Sequence, residues 1–251
     1  MMSSKRPSQR PLAILPLLVL ACGTGCVNPE GGGKVAGTLG VPGCWTGPFD
    51  LKPDFFGAYY HRDNLQLRFQ RGSDNQNFSD GVSMHVSDVA KIRASLYGQP
   101  LKVGLPPEVT PPNVPIEPRA SPPRVSFALY MQSSCKAQTV ALYAVEEVTV
   151  TSDGSCNADP IPEANPEDGC KGTQAAGVGS GRSLATFHSL YNGDDQASAK
   201  DRRIKGCFDI YLADPREAAS DGKGPAPLCR GHVRGTFDYF FERGRPAQPF
   251  P

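Results

Sequence analysis

Apolar and polar residues alternate with a period of two in several stretches of the chain. A period of two places the apolar side chains of a strand on one face, as a half-buried β-strand requires. We predict a strand at each of three such places, and a fourth at 92–96, where Ile92, Ala94 and Leu96 continue the phase. The apolar residues of the first three are Leu65, Leu67 and Phe69; Val82, Met84 and Val86; and Val125, Phe127, Leu129 and Met131.

The C-terminal half of the chain contains longer segments of the same kind. Residues 125–131 and 140–150 are separated by a short polar turn, so we predict that they form an antiparallel hairpin. Further strands are predicted at 183–191 and 204–212. The last segment, 230–242, has apolar residues on both of its faces, which is typical of a central strand.

Turn-forming residues lie between these segments. The chain of 251 residues contains 27 glycines and 25 prolines, and no long helical period survives between them. The sequence therefore predicts an all-β fold, namely an antiparallel two-layer β-sandwich of about 8 to 10 strands with almost no helix. Long Pro-rich and Gly-rich loops are expected to connect the strands.

A single β-sandwich domain is predicted at 44–251, because a dense aromatic segment begins there. Two irregular segments interrupt it. Residues 99–123 are rich in proline, and we interpret them as a semi-rigid crossover between two β halves rather than as a ligand for a proline-reading groove. Residues 152–181 form a polar insertion that carries Cys156 and Cys170.

The N-terminal segment has the features of an export signal. Basic residues without an acid precede the apolar run 12–22, which is too short to span a bilayer. The residues LVLAC at 18–22 resemble the lipobox of bacterial lipoproteins. The resemblance implies a signal peptide at 1–21, cleavage before Cys22 and acylation of the Cys22 thiol.

Two alternatives compete with an anchor at Cys22. An ordinary secretory signal would end in a similar small residue. Cys26 is a rival lipid site, but the tripeptide before it lacks the aliphatic residue that Val19 supplies for Cys22. Residues 22–43 hold eight glycines, and we expect them to form a flexible Gly-rich tether between the lipid and the domain.

Eight cysteines in an exported chain indicate disulfide bonds. With Cys22 acylated and Cys26 in the tether, six candidates remain: Cys44, Cys135, Cys156, Cys170, Cys207 and Cys229. We predict that Cys156 pairs with Cys170 and closes the polar insertion. If the last two strands form a direct hairpin with Leu212 opposite Cys229, Cys207 is too far along the ladder to pair with Cys229. The remaining partners should then join sequence-distant strands.

Charge and side-chain chemistry offer little for catalysis. The chain has 26 basic and 25 acidic residues and no basic patch, which argues against a nucleic-acid partner. No catalytic residues, metal or cofactor are predicted. The four histidines, His61, His85, His188 and His232, are scattered, and we interpret them as surface residues. The loop with Asp74, Asn75, Asn77 and Asp80 offers oxygen ligands for calcium, but it lacks the EF-hand spacing and its residues also suit a turn.

Four stretches carry a resemblance to a known group of proteins. They are GCWTGPFDLKPDFF, LQLRFQRGSDNQNFSDG, GCFDIYLADPRE and RGTFDYFFERGRPAQPFP. Together they resemble a set of predicted lipoproteins from myxobacteria, and the likeness covers most of the mature chain. It implies a lipidated, exported, β-rich domain and no particular activity.

The sequence thus favours a lipid-anchored lipoprotein of the bacterial cell envelope. Gly23 stands where an Asp commonly marks retention in the inner membrane, so we expect the outer membrane, with the leaflet left open. The membrane is the expected partner through Cys22, together with an envelope protein. The domain is expected to be a non-enzymatic structural or protein-binding module; the alternatives are a carrier of a hydrophobic ligand or lipid, and an exported hydrolase.

Overall fold

A computed structural model describes residues 31–71, 79–105, 125–135, 140–150, 156, 180–193, 202–217 and 226–240. Within these ranges the chain forms thirteen strands, one short α-helix and a 3₁₀ turn at Pro215–Glu217. The strands are β1 Gly31–Val41, β2 Trp45–Leu51, β3 Phe55–His61, β4 Asn64–Gln70, β5 Gly81–Val86, β6 Leu101–Gly104, β7 Val125–Met131, β8 Val140–Ala144, β9 Glu147–Thr149, β10 Ser180–Arg182, β11 Leu184–Ser189, β12 Arg203–Ala213 and β13 Gly231–Phe240, and the helix is α1 Val89–Ser95. No helix in these ranges has the length and apolar character needed to cross a bilayer.

Eleven of the strands form one continuous sheet. Its order is β2-β1-β13-β12-β11-β6-β7-β5-β4-β3, and β8 pairs with both β7 and β12. Neighbouring strands are antiparallel except β6 and β7, which are parallel. The remaining two strands, β9 and β10, form a separate small hairpin sheet. The all-β prediction is therefore confirmed.

The long sheet folds over so that its two ends face each other across a common core. The ring of Phe69 on β4 stacks on Phe237 on β13, with centroids 5.1 Å apart. The ring of Phe127 on β7 contacts Phe208 on β12 at 4.9 Å. The Tyr239 hydroxyl of β13 donates a hydrogen bond to the Gly57 carbonyl of β3 at 3.1 Å. These contacts define two layers, one with β1, β2, β11, β12 and β13 and the other with β3, β4, β5 and β7.

Most predicted strands are found where the period of two placed them. The segment predicted at 204–212 is β12, and the last segment, β13, lies between β1 and β12 as a central strand. The hairpin of β7 and β8 is also confirmed. Residues 145 and 146 interrupt the strand predicted at 140–150, so that β9 leaves the main sheet.

The strand predicted at 92–96 is wrong, because this segment belongs to helix α1. Val89 and Ile92 are completely buried in the core, and Leu96 packs against it. These residues are spaced i, i+3 and i+7, which is the spacing of one helical face. Ile92, Ala94 and Leu96 alone have a period of two, but Ala94 is exposed and does not belong to the buried face.

The prediction of a flexible tether at 22–43 is also wrong for its second half. Residues 31–41 form β1, which is paired with β13 on one side and β2 on the other. Its glycines permit close approach of the neighbouring backbone: a Cβ on Gly37 would collide with the carbonyl oxygen of His232. The predicted tether retains at most residues 22–30, which lie outside the described ranges. Likewise, Leu101–Gly104 of the predicted crossover is strand β6, and the rest of that segment, 106–124, is not described.

Two disulfides join parts of the chain that are distant in sequence. Cys44, in the turn between β1 and β2, pairs with Cys135 after β7, with Cα atoms 4.9 Å apart. This bond ties the two layers together and agrees with the prediction that the partners join distant strands. Cys156 pairs with Cys229, with Cα atoms 6.1 Å apart.

The second bond shows that the predicted Cys156–Cys170 pair is wrong. Thr149 exchanges backbone hydrogen bonds with Pro227 and Cys229, and this brings the start of the insertion beside Cys229. Proximity in the sequence was therefore a poorer guide than strand pairing. The prediction that Cys207 does not pair with Cys229 is confirmed. Cys207 is disulfide-bonded, and its partner lies outside the described ranges. The β12–β13 hairpin places Leu212 opposite Gly231, two residues from the expected register.

Candidate functional site

The outer face of the layer formed by β1, β13 and β12 is unusually polar. The register aligns side chains in rows across these three strands, with Ala36, Arg234 and Asp209 in one row. Neighbouring rows on the same face are Gly32, Asp238 and Lys205; Lys34, Thr236 and Cys207; and Thr38, His232 and Tyr211. The centre of this face is buried, whereas its end near the start of β1 is open. This face contains both a buried charged cluster and a groove.

The buried cluster is built around the carboxylate of Asp209. Its Oδ1 is hydrogen-bonded to Nε2 of His232, and its Oδ2 accepts a hydrogen bond from Nε of Arg234 at 3.0 Å. The Asp209 and His232 side chains are 10% and 2% exposed, so the pair is shielded from water. A buried carboxylate is stable only when partners satisfy it, and here two cross-strand side chains do so.

Tyr211 covers the histidine. Its ring stacks on the His232 ring at 4.1 Å with an interplanar angle of 6°. Tyr211 belongs in turn to a small second core with Val148, Cys156 and Cys229, which lies on the outside of the sheet. Burial raises the pKa of the Tyr211 phenol, and the nearby Asp209 raises it further. The Cys156–Cys229 disulfide and the strand β9 thus seal one end of the polar face.

The histidines differ in their surroundings. The prediction of a surface position is wrong for His232, which is buried. His61 is exposed, while His85 and His188 are half-buried. In the sequence His232 has no neighbouring ligand or catalytic partner, and it was grouped with the other scattered histidines; in the fold it lies between Thr38 and Tyr211 on the polar side of β13. The period of β13 alone does not show that Tyr211 and the small second core cover His232.

The groove lies at the open end of the same face, beside the cluster. It has a volume of about 170 Å³ and is lined by Gly32, Gly33, His188, Lys205, Gly206, Thr236, Phe237 and Asp238. The Nε2 atom of His188 is buried and has no hydrogen-bond partner within the described part of the chain. The Lys205 ammonium is 3.9 Å from Oδ2 of Asp238, longer than a direct hydrogen bond. The groove therefore presents charges of both signs.

Arg203 holds the carboxylate of the groove in place. Its Nε donates a hydrogen bond to Oδ1 of Asp238 at 2.7 Å, and its Nη2 donates another to Oδ2 at 2.5 Å. This bidentate bond raises the pKa of the Arg203 guanidinium. It also fixes the orientation of the Asp238 carboxylate, which still has lone pairs for a further donor.

The calcium candidate Asp80 has a structural role. Its Oδ1 accepts hydrogen bonds from the backbone N–H groups of Ser133 and Ser134, each at 3.0 Å, and its Oδ2 is bonded to the Ser134 hydroxyl. These bonds hold the turn that leads to Cys135 and the interlayer disulfide. The other calcium candidates, Asp74, Asn75 and Asn77, lie outside the described residues.

Other predicted site residues fall outside the described part of the chain. These are the lipidation site Cys22, its rival Cys26 and the disulfide candidate Cys170. Among the residues that are described, no group of three or more His, Cys, Asp or Glu side chains has the arrangement of a metal site.

Known proteins provide no further guide to the site. No protein-family model, no curated protein and no solved structure matches this chain.

Proposed function

We propose that this chain is a lipid-anchored protein of the bacterial cell envelope, held in the outer membrane through an acylated Cys22. Its sandwich would serve as a non-enzymatic structural or protein-binding module. The lipobox-like residues before Cys22 and the resemblance to myxobacterial lipoproteins support the anchor. Two long-range disulfides support its export.

The two disulfides support folding outside the cytoplasm. Cys44–Cys135 and Cys156–Cys229 join residues that are 91 and 73 positions apart. Such bonds form and persist in oxidising compartments, whereas the bacterial cytoplasm keeps thiols reduced. Both bonds are integrated into the fold, one between the two layers and the other over the polar face.

The packing of the interior favours a module over a carrier. A lipid carrier needs space between its layers, but here the space is filled by rings in mutual contact. Phe69 contacts Phe237, Phe187 contacts Phe237, and Phe127 contacts Phe208, with centroids 4.9 to 6.1 Å apart. Phenylalanine rings packed in this way stabilise the sandwich and leave the outer surfaces for interaction.

The buried cluster supports a structural role over hydrolysis. An Asp–His pair is the arrangement that orients a general base in a hydrolase. In this protein the Tyr211 ring covers His232, and the histidine side chain is 2% exposed. A substrate would have to displace Tyr211 and its second core to reach the imidazole.

Metabolic labelling tests the anchor directly. The wild-type chain should incorporate palmitate and fractionate with membranes, whereas Cys22→Ser should be unlabelled and released. The domain should remain folded, because Cys22 is separated from the first residue of β1 by residues 23–30. That segment can span at most about 28 Å when extended, so the anchored sandwich would lie close to the headgroups.

The matched control is Cys26→Ser, which should retain both label and membrane association. Loss of label in Cys26→Ser, with persistent labelling of Cys22→Ser, would identify the other cysteine as the lipid site. No labelling of the wild-type chain would contradict the anchor altogether.

A further inference from the structure

The walls of the groove beside β1 offer separate sites for a negative and a positive group. Lys205 provides an ammonium and Thr236 a hydroxyl, both of which can bind an anionic group. On the same groove, the Asp238 carboxylate is held by Arg203 and retains acceptor capacity for an ammonium. A ligand with only one sign of charge would use half of these groups and would be repelled by the other half.

His188 also lines the groove, and its ring contains a buried nitrogen. The Nε2 atom has no hydrogen-bond partner among the described residues. Leaving a buried polar atom unpaired costs about 1 to 3 kcal/mol, so such an atom in a native protein calls for a specific explanation. His188 lies at an irregularity in the pairing of β11 with β12, beside Lys205. A bulge of this kind redirects a side chain, here one that lines the groove.

The space available limits the size of the ligand. The groove has a volume of about 170 Å³. A cavity of about 150 Å³ holds a benzene molecule, so about six to eight non-hydrogen atoms fit here. Gly32 creates part of this space, since a Cβ built on Gly32 would meet no atom within 4 Å.

From these features we propose that the groove binds a small zwitterion with an anionic group and a primary ammonium. The anionic group contacts Lys205 and Thr236, and the ammonium donates hydrogen bonds to Asp238. Phosphoethanolamine, with eight non-hydrogen atoms, has this chemistry, as does a free amino acid. A quaternary ammonium of equal charge lacks the N–H donors that Asp238 requires.

The position of the groove suggests a source for such a group. Gly32 is ten residues after Cys22, which corresponds to at most about 35 Å of extended chain. If Cys22 is acylated, the groove lies within reach of the lipid headgroups. The headgroup as source rests on the proposed function, whereas the binding chemistry of the groove does not.

Soluble ligands test the binding chemistry. The purified full-length chain carrying Cys22→Ser is titrated with phosphoethanolamine, glycine, phosphocholine and inorganic phosphate while amide chemical shifts are recorded by NMR. Phosphoethanolamine or glycine should shift the amides of residues 32, 205 and 238, with a Kd below about 10 mM. Phosphocholine and inorganic phosphate should bind at least about tenfold more weakly than the better zwitterion.

Three variants test the site. Gly32→Leu adds a side chain at a position that lines the groove and where a Cβ meets no atom within 4 Å, and Lys205→Met removes the ammonium. Each should weaken binding about tenfold or more. Asp238→Asn should abolish the preference for phosphoethanolamine over phosphocholine. Lys102→Met, at an exposed lysine on β6, is the matched control and should bind like the parent chain.

Vesicles distinguish the two sources. Co-flotation of the Cys22→Ser chain with phosphatidylethanolamine vesicles, but not with phosphatidylcholine vesicles, would assign the ligand as a headgroup. Binding of the soluble ligand alone would assign a free zwitterion. The proposal is overturned if neither zwitterion binds, if phosphocholine binds equally well, or if Gly32→Leu has no effect. Palmitate labelling of the wild-type chain is a separate readout, so failure of the groove and failure of the anchor remain distinguishable.

Discussion

Two aspartates on the polar face form ion pairs that differ in their exposure to water. Asp209 is bound by His232 and Arg234 in a nearly dry environment, whereas Asp238 is bound by Arg203 where both side chains are about two-fifths exposed. Water and salt screen the second pair strongly and the first only slightly. The same chemical pair on the same two strands should therefore contribute very different free energies.

Asp209→Asn should lower the free energy of unfolding by about 3 kcal/mol, because it removes the buried carboxylate charge that His232 and Arg234 both contact. The matched variant Asp238→Asn should cost at most about 1 kcal/mol. Urea denaturation of both variants at pH 7 checks the difference. Equal losses would mean that Asp209 is hydrated in solution.

Tyr239 should make stability fall at alkaline pH. Complete burial of its ring raises the pKa of the phenol above the ordinary value of 10.0. The folded protein therefore keeps the phenol neutral, while the unfolded chain ionises it at about pH 10. Stability from this group is fully present below about pH 10 and is lost as the pH rises above it, by up to about 1.4 kcal/mol per pH unit.

The check is urea denaturation of the wild type and Tyr239→Phe between pH 7 and 11. The variant should be less stable at pH 7 by about 1 kcal/mol, since it lacks the hydrogen bond to the Gly57 carbonyl. Its disadvantage should shrink above pH 10. A constant difference across the range would show that Tyr239 ionises equally in both states.

Among the elements, β1 illustrates what a periodic pattern can miss. The sequence predicts β7, β12 and β13 well, because their apolar residues alternate against one core. β1 has glycines at several positions, and the composition alone indicated a linker. Only the pairing with β13 reveals that these glycines relieve close backbone contacts. Helix α1 was missed for a related reason. The spacing of Ile92 and Leu96 fits both a strand with a period of two and one face of a helix. The burial of Val89 shows that the helical spacing is the correct one.

Two substitutions within β1 should distinguish a glycine that contacts a neighbouring strand from a glycine that faces open space. Gly37→Ala places a Cβ against the His232 carbonyl and should destabilise the fold by about 1 to 3 kcal/mol, since the packed backbone must shift. Gly32→Ala meets open space and should be neutral or stabilise by about 0.5 kcal/mol through loss of unfolded-state entropy. Thermal and urea unfolding of the two variants give the comparison. If 31–41 were a flexible tether, both substitutions would leave stability unchanged.

For the molecule as a whole, the two disulfides join segments that are distant in the sequence. Cys44–Cys135 joins the two layers at one end. Cys156–Cys229 lies in the small second core, where it packs with Val148 of β9 and Tyr211 of β12. The sequence predicted the layers and the first type of link. It did not predict the second, because Cys156 is brought to Cys229 by pairing of Thr149 with residues 227 and 229, a contact between segments about 80 residues apart.

Removal of the interlayer bond should reduce stability without changing the fold. The double variant Cys44→Ala and Cys135→Ala should lose about 2 to 5 kcal/mol of unfolding free energy, as expected for a bond that closes a long loop. Far-ultraviolet circular dichroism should remain that of a β protein. A loss below about 1 kcal/mol would mean that the layers are held together almost entirely by the aromatic core.

We propose that one exported chain carries a lipid on Cys22 and, after it, a disulfide-linked sandwich. Peptide mapping by mass spectrometry, performed without reduction on protein isolated from membranes, tests both parts at once. We expect an acylated N-terminal peptide that begins at Cys22, together with crosslinked peptides containing Cys44–Cys135 and Cys156–Cys229. An unmodified Cys22 with reduced thiols at these four positions, or a recovered Cys156–Cys170 crosslink, would contradict the account.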